Sequence, residues 1–150
     1  MYRKILVPLD GSIKEVEGIL ARVQSVLSPD GEGILLQVVS PVGSRVAGLY
    51  AKPPARQQKE RCSKAMGYLK YFAGGLNKSN GNWRCEVIVS KSVAQGILDF
   101  AIREQVDLIT MYTHSRKGLA KLFKGSVSER VRAKTTTEVM LITSHDLALT

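Results

Sequence analysis

The chain is poor in cysteine, histidine and aromatic residues: two cysteines, two histidines, one tryptophan and 6% aromatics in 150 residues. Cys62 and Cys85 have neither metal-ligand spacing nor the density of a disulfide framework, so they are expected to be reduced, mostly buried apolar residues in a cytoplasmic protein. Two histidines, His114 and His145, cannot build a metal site with so few neighbouring acids. His114 beside Ser115 forms no Gly-x-Ser-x-Gly elbow, and no triad assembles, so catalysis is not expected. No apolar run approaches the roughly 20 residues of a membrane span. The three aliphatics before Pro8 are too few for a secretory core. A soluble chain with no membrane partner is the expectation, and the Asn77-Lys78-Ser79 sequon then carries no meaning. Long loops and low-complexity tracts are also scarce, and no internal repeat appears. At this length one domain suffices, 1–145 with a short tail at 146–150.

Acid is scarcer than base. The chain holds 22 Lys and Arg against 13 Asp and Glu, a net charge of +9. The excess is local: Arg116, Lys117, Lys121, Lys124, Arg130, Arg132 and Lys134 face only Glu129 between positions 116 and 134. Such a run attracts polyanions. Without an aromatic stacking array or a reading motif, any nucleic-acid affinity should be weak, salt-sensitive and blind to sequence. No specific nucleic-acid partner is expected.

What is present is a clean alternation of periodicities. Ile5–Val7, Ile34–Val39, Cys85–Val89, Leu108–Met111 and Val139–Ile142 read as five short strands. Val16, Ile19, Leu20, Val23 and Leu27 mark a first helix. Cys62, Ala65, Met66, Leu69 and Ala73 mark a second that should stop at Gly74-Gly75. Ala94, Ile97, Leu98 and Ala101 mark a third, and a short fourth follows Gly125 with Val127 and Val131 inward. Ser12…Glu15, Ser92…Gln95 and Ser126…Glu129 have the spacing of capping boxes. Alternating strands and helices imply an α/β, doubly wound domain: a mostly parallel sheet covered on both faces by right-handed crossovers. The Gly- and Pro-rich segment from Ser40 to Pro54 leaves the second strand at the end where ligands bind in such sheets.

The most specific segment is DLITMYTHSRKGLAKLFKGSV, Asp107 to Val127. An apolar strand passes into a basic loop that ends on Gly125-Ser126 at a helix start, where free N–H groups and the helix dipole favour an anion, phosphate above all. Gly31-Glu32-Gly33 lacks a third glycine and precedes a strand, and no Walker A pattern exists.

Three stretches resemble the universal stress protein family: Lys4-Ile5-Leu6-Val7-Pro8-Leu9-Asp10-Gly11-Ser12, Val106 to Gly118, and Gly125-Ser126-Val127. Nucleotide-binding members carry Gly-x-x-Gly, nine residues, then Gly-Ser or Gly-Thr. Here that register falls on Tyr112, Ser115, Gly125 and Ser126, so the spacing survives while both glycines of the first pair are replaced. The resemblance implies a Rossmann-like fold of the adenine nucleotide alpha hydrolase type with strand order 3-2-1-4-5. The reversal then lies between the first and fourth strands. It also implies that Asp10 and Val38 meet adenosine and that Ser115, Gly125, Ser126 and Val127 cradle phosphate. With Pro8, Met111, Tyr112 and Arg116 these form the expected nucleotide-binding set.

The expected function is that of a small stress-response module binding ATP or ADP, with Mg accompanying the nucleotide. The alternative is a nucleotide-independent dimeric interaction protein. Tyr112 decides between them, because it lacks glycine's freedom and could block the crevice, stack on a base or rest against the Ser40 to Pro54 loop. The last strand, Val139 to Ile142, is uninterrupted and uncharged, which together with the resemblance implies a homodimer through that edge.

Overall fold

A computed structural model describes residues 1–43, 53–79, 81–113 and 126–148 of the chain. Five strands form one sheet in the order β3-β2-β1-β4-β5, with every neighbouring pair parallel. The strands are β1 (Tyr2–Pro8), β2 (Leu27–Val39), β3 (Asn82–Val89), β4 (Leu108–Thr113) and β5 (Glu138–Thr143). Helices α1 (Val16–Gln24), α2 (Pro54–Lys78) and α5 (Ser144–Ala148) cover one face; α3 (Val93–Glu104) and α4 (Val127–Lys134) cover the other. Strand alternation divides the core accordingly. Ile5, Val7, Leu35 and Leu108 point towards α1 and α2, whereas Leu6, Ile34, Leu36 and Ile109 point towards α3 and α4. Among the described residues, no helix is long and apolar enough to cross a membrane.

Several boundaries differ from the periodicity, each for a local reason. Leu27 opens β2 instead of closing α1: Tyr2 pairs with it, and the register breaks before Lys4 meets Glu32. The irregular residues between carry Ser28-Pro29-Asp30, which reads as a turn in sequence. Gly31-Glu32-Gly33 consequently lies inside β2, not ahead of it. The second helix runs through Gly74-Gly75 to Lys78. Each glycine costs about 1 kcal/mol in a helix. Tertiary anchors offset that cost: Leu76 is buried, and the Asn77 amide donates to the Trp83 carbonyl at 3.1 Å and accepts from the Trp83 N–H at 2.9 Å. The residues expected as a tail begin instead with α5. Thr143 and Asp146 exchange capping bonds of 2.8 and 3.1 Å, and Leu147 packs against Gly18. Cys62 and Cys85 are free and half-buried rather than buried, and burial pushes the Cys85 thiol above its ordinary range.

Candidate functional site

The ladder between β1 and β4 contains only Ile5 with Leu108 and Leu6 with Ile109. One residue further on, Thr110 turns its hydroxyl across the gap and donates to the Leu6 carbonyl at 3.1 Å. The outer pairs continue further, β1 with β2 to Pro8 and β4 with β5 to Thr113. Strands one and four therefore part at their C-terminal ends while their other neighbours hold them. The result is a crevice of about 300 Å³ at the point where strand order reverses.

Pro8, Leu9, Asp10 and Ile13 form one wall of the crevice and Met111, Tyr112 and Thr113 another. Val38 lies to the side, with Val93 and Ile97 of α3 and the α4 start, Ser126 to Ser128, closing the remainder. All seven described members of the expected nucleotide-binding set, Pro8, Asp10, Val38, Met111, Tyr112, Ser126 and Val127, line this single space. Ser115, Arg116 and Gly125 lie outside the described residues, as does His114.

Asp10 leaves β1 in a turn of its own making. Its Oδ1 accepts from the Ser12 N–H at 2.9 Å and the Ser12 hydroxyl at 2.7 Å, and Gly11 takes φ +58°. That positive φ is cheap for glycine alone. The same contacts occupy Ser12, so the expected Ser12…Glu15 box does not form; Glu15 precedes α1 without a side-chain cap. The other two expected caps are present. Ser92 accepts from the Gln95 N–H, although the Gln95 amide turns to Asp99 rather than back to the cap. Ser126 accepts from the Glu129 N–H at 3.2 Å, and its hydroxyl lies 3.2 Å from that of Ser128. Helix geometry directs the Val127 and Ser128 N–H groups out of the α4 start without intrahelical acceptors. Both residues line the crevice.

Tyr112 lines the crevice with its side chain held in place. Its ring packs on the α1 side of β4, among the residues of that core, and its hydroxyl donates to Glu15 Oε2 at 3.0 Å. Burial first, then the bond to the Glu15 carboxylate, push its phenol up to about 12. Sequence reasoning missed Glu15, since 97 residues separate it from its partner. It also missed Ile13, Thr113 and Ser128. β4 and α4 were legible, and their end residues line whatever the strand-end space admits.

A parallel five-stranded sheet with a crevice at its reversal point, walled by a strand-end aspartate and a serine-capped helix, is a doubly wound α/β architecture. The chain matches the Universal stress protein family over residues 1–143 and belongs to that family. It is 28% identical over 138 residues to Universal stress protein MJ0531 of Methanocaldococcus jannaschii, spanning 87% of this chain and 76% of that protein. The fold is similar to the solved structure of hypothetical protein MJ0577, with a TM-score of 0.75, 24% identity, and 95% and 96% of the two chains covered. It is also similar to a universal stress protein family protein from Arabidopsis thaliana solved with AMP bound, with a TM-score of 0.62, 15% identity, and 93% and 90% covered.

Proposed function

We propose that the crevice between β1 and β4 binds an adenine nucleotide and that the protein acts through binding and association, without catalysis. The observation carrying this reading is the convergence of seven separately placed residues on one space. Each offers suitable chemistry. Met111, Val38 and Ile97 present an apolar slot for a base, Asp10 a carboxylate for sugar hydroxyls, and the α4 start N–H groups and dipole for phosphate. The AMP held by the Arabidopsis relative supports the ligand class. Among the described residues no group of three or more His, Cys, Asp or Glu side chains gathers. Mg enters this reading as a companion of the phosphates. The reading places the protein in the cytoplasm, where Cys62 and Cys85 stay reduced, as a stress-response module that dimerises through β5.

A second reading, a nucleotide-independent interaction module, is favoured by one observation: a tyrosine bonded to a carboxylate stands where the family motif has glycine. Nucleotide released by denaturing the purified protein distinguishes the two. The first reading expects AMP, ADP or ATP by mass analysis, and less of it from Asp10→Ala. No released nucleotide, and no binding on addition of any of the three, leaves the interaction module.

A further inference from the structure

We propose a second ligand site, across the sheet from the nucleotide crevice: a cavity between α2 and the end of β2 that takes a small phosphorylated polyol. It stands independently of the nucleotide reading. Strand alternation separates the two spaces. Leu35 packs towards α1 and α2 and Leu36 towards α3 and α4, so Gln37 faces α2 while Val38 turns to the crevice. On the helix, Arg61, Lys64, Ala65 and Tyr68 follow one another at i, i+3, i+4 and i+7 and share one face. That face and the strand end border about 490 Å³, within the roughly 300–1,000 Å³ typical of ligand pockets.

Two observations point to a ligand. Among the described residues three buried side-chain polar atoms lack a hydrogen-bond partner, and two of them, Gln37 Oε1 and the Tyr68 hydroxyl, belong to residues lining this cavity. An unpaired buried oxygen weakens a fold, so two beside one space mark a place where the chain forgoes stability. The second observation is charge. Arg61 and Lys64 bring two cations to the cavity, and Arg61 Nη1 donates to the Ser40 carbonyl at 3.4 Å, which holds the guanidinium at the rim. These groups divide the recognition between them. The cations suit a phosphate, to which arginine presents paired N–H donors. Gln37 Oε1 only accepts, so its partner must bring a hydrogen, and the soft terminal torsion of the side chain lets the amide swing towards the cavity. The Tyr68 phenol is pushed above its ordinary range, by burial first and the Asp10 charge second, and stays a neutral donor. A hydroxyl carried a few bonds from a phosphate meets both oxygens.

Calorimetry on the full chain with glycerol 3-phosphate, inorganic phosphate and glycerol tests this, as wild type, Gln37→Leu, Tyr68→Phe and Lys64→Ala. Wild type is expected to bind glycerol 3-phosphate with a Kd of about 1 mM or tighter, and about tenfold or more tightly than phosphate or glycerol. Lys64→Ala should weaken both anions. Gln37→Leu and Tyr68→Phe should each lower affinity for glycerol 3-phosphate by about threefold or more, with phosphate binding unchanged in Gln37→Leu. Both should keep or raise Tm, because each removes an unpaired buried oxygen. No binding of glycerol 3-phosphate at about 10 mM, ten times the expected Kd, affinity unmoved by the three substitutions, or a fall in Tm for Gln37→Leu and Tyr68→Phe overturns the site and leaves the nucleotide reading standing. Displacement of glycerol 3-phosphate by AMP would assign it to the crevice and overturn the second site as well.

Discussion

A methyl group added at Gly33 would lie 2.3 Å from Cε3 and 2.4 Å from Cζ3 of Trp83, a residue only 5% exposed. The glycine pair in Gly31-Glu32-Gly33 therefore serves packing: β2 has no side chain at Gly33 because the indole of β3 occupies that volume. Gly33→Ala should cost about 1–3 kcal/mol, the usual penalty of overpacking. It should lower the urea midpoint without changing the slope. A wild-type midpoint would show that the ring moves aside freely. The same contrast separates what could be read in the sequence at this scale. Asp10 and Ser126 were legible because their signals are local, a strand-end carboxylate before glycine and a serine three residues before glutamate. The Tyr112–Glu15 bond and the Trp83 seat were not. Each joins residues far apart in the chain, and no propensity or spacing encodes such a meeting.

Elements show how tertiary contacts override local preference. Edge strand β3 alternates charge with apolar residues, a pattern that discourages a further strand from pairing. The structure gives those charges a second use. The Arg84 guanidinium bonds Glu32 and Glu86 at 2.6 Å each and Glu104 at 2.5 Å, tying β3 to β2 and to the end of α3, while Lys4 joins Glu32 at 3.5 Å. Arg84→Met would leave three carboxylates around an apolar stem. For partly exposed groups a loss of about 1–2 kcal/mol is expected, between the values for surface and buried pairs. Because the penalty is repulsion, it should shrink in roughly 1 M salt, where the Debye length falls to about 3 Å. Urea titrations at low and high salt measure this, and a deficit independent of salt would contradict it. Helix α2 gives the complementary lesson. Gly74-Gly75 signalled a stop, yet Leu76 and the Asn77 bonds to Trp83 carry the helix onward. Strand existence and order of elements were legible from periodicity; their ends were decided by contacts across the sheet.

For the whole molecule, five apolar strands separated by helices left a doubly wound parallel sheet as the simplest solution, and the sheet has that form. The strand order needed the family resemblance, because periodicity assigns no neighbours. The proposed dimer also belongs to this scale. β5 is an edge strand of half-buried, uncharged residues from Val139 to Leu141, with α5 folded against α1 beside it. Light scattering should give the mass of two chains for wild type at micromolar concentration and of one chain for Leu141→Lys, since a charged edge resists pairing. A monomeric wild type would remove the dimer from the proposal. The nucleotide crevice is the central claim, and photolabelling with 8-azido-AMP followed by peptide mapping tests it most directly. Label is predicted on peptides containing Asp10, Met111 or Ser126, and should disappear in excess AMP. Label confined to the helix faces of α1 and α2, or undiminished by AMP, would contradict the account.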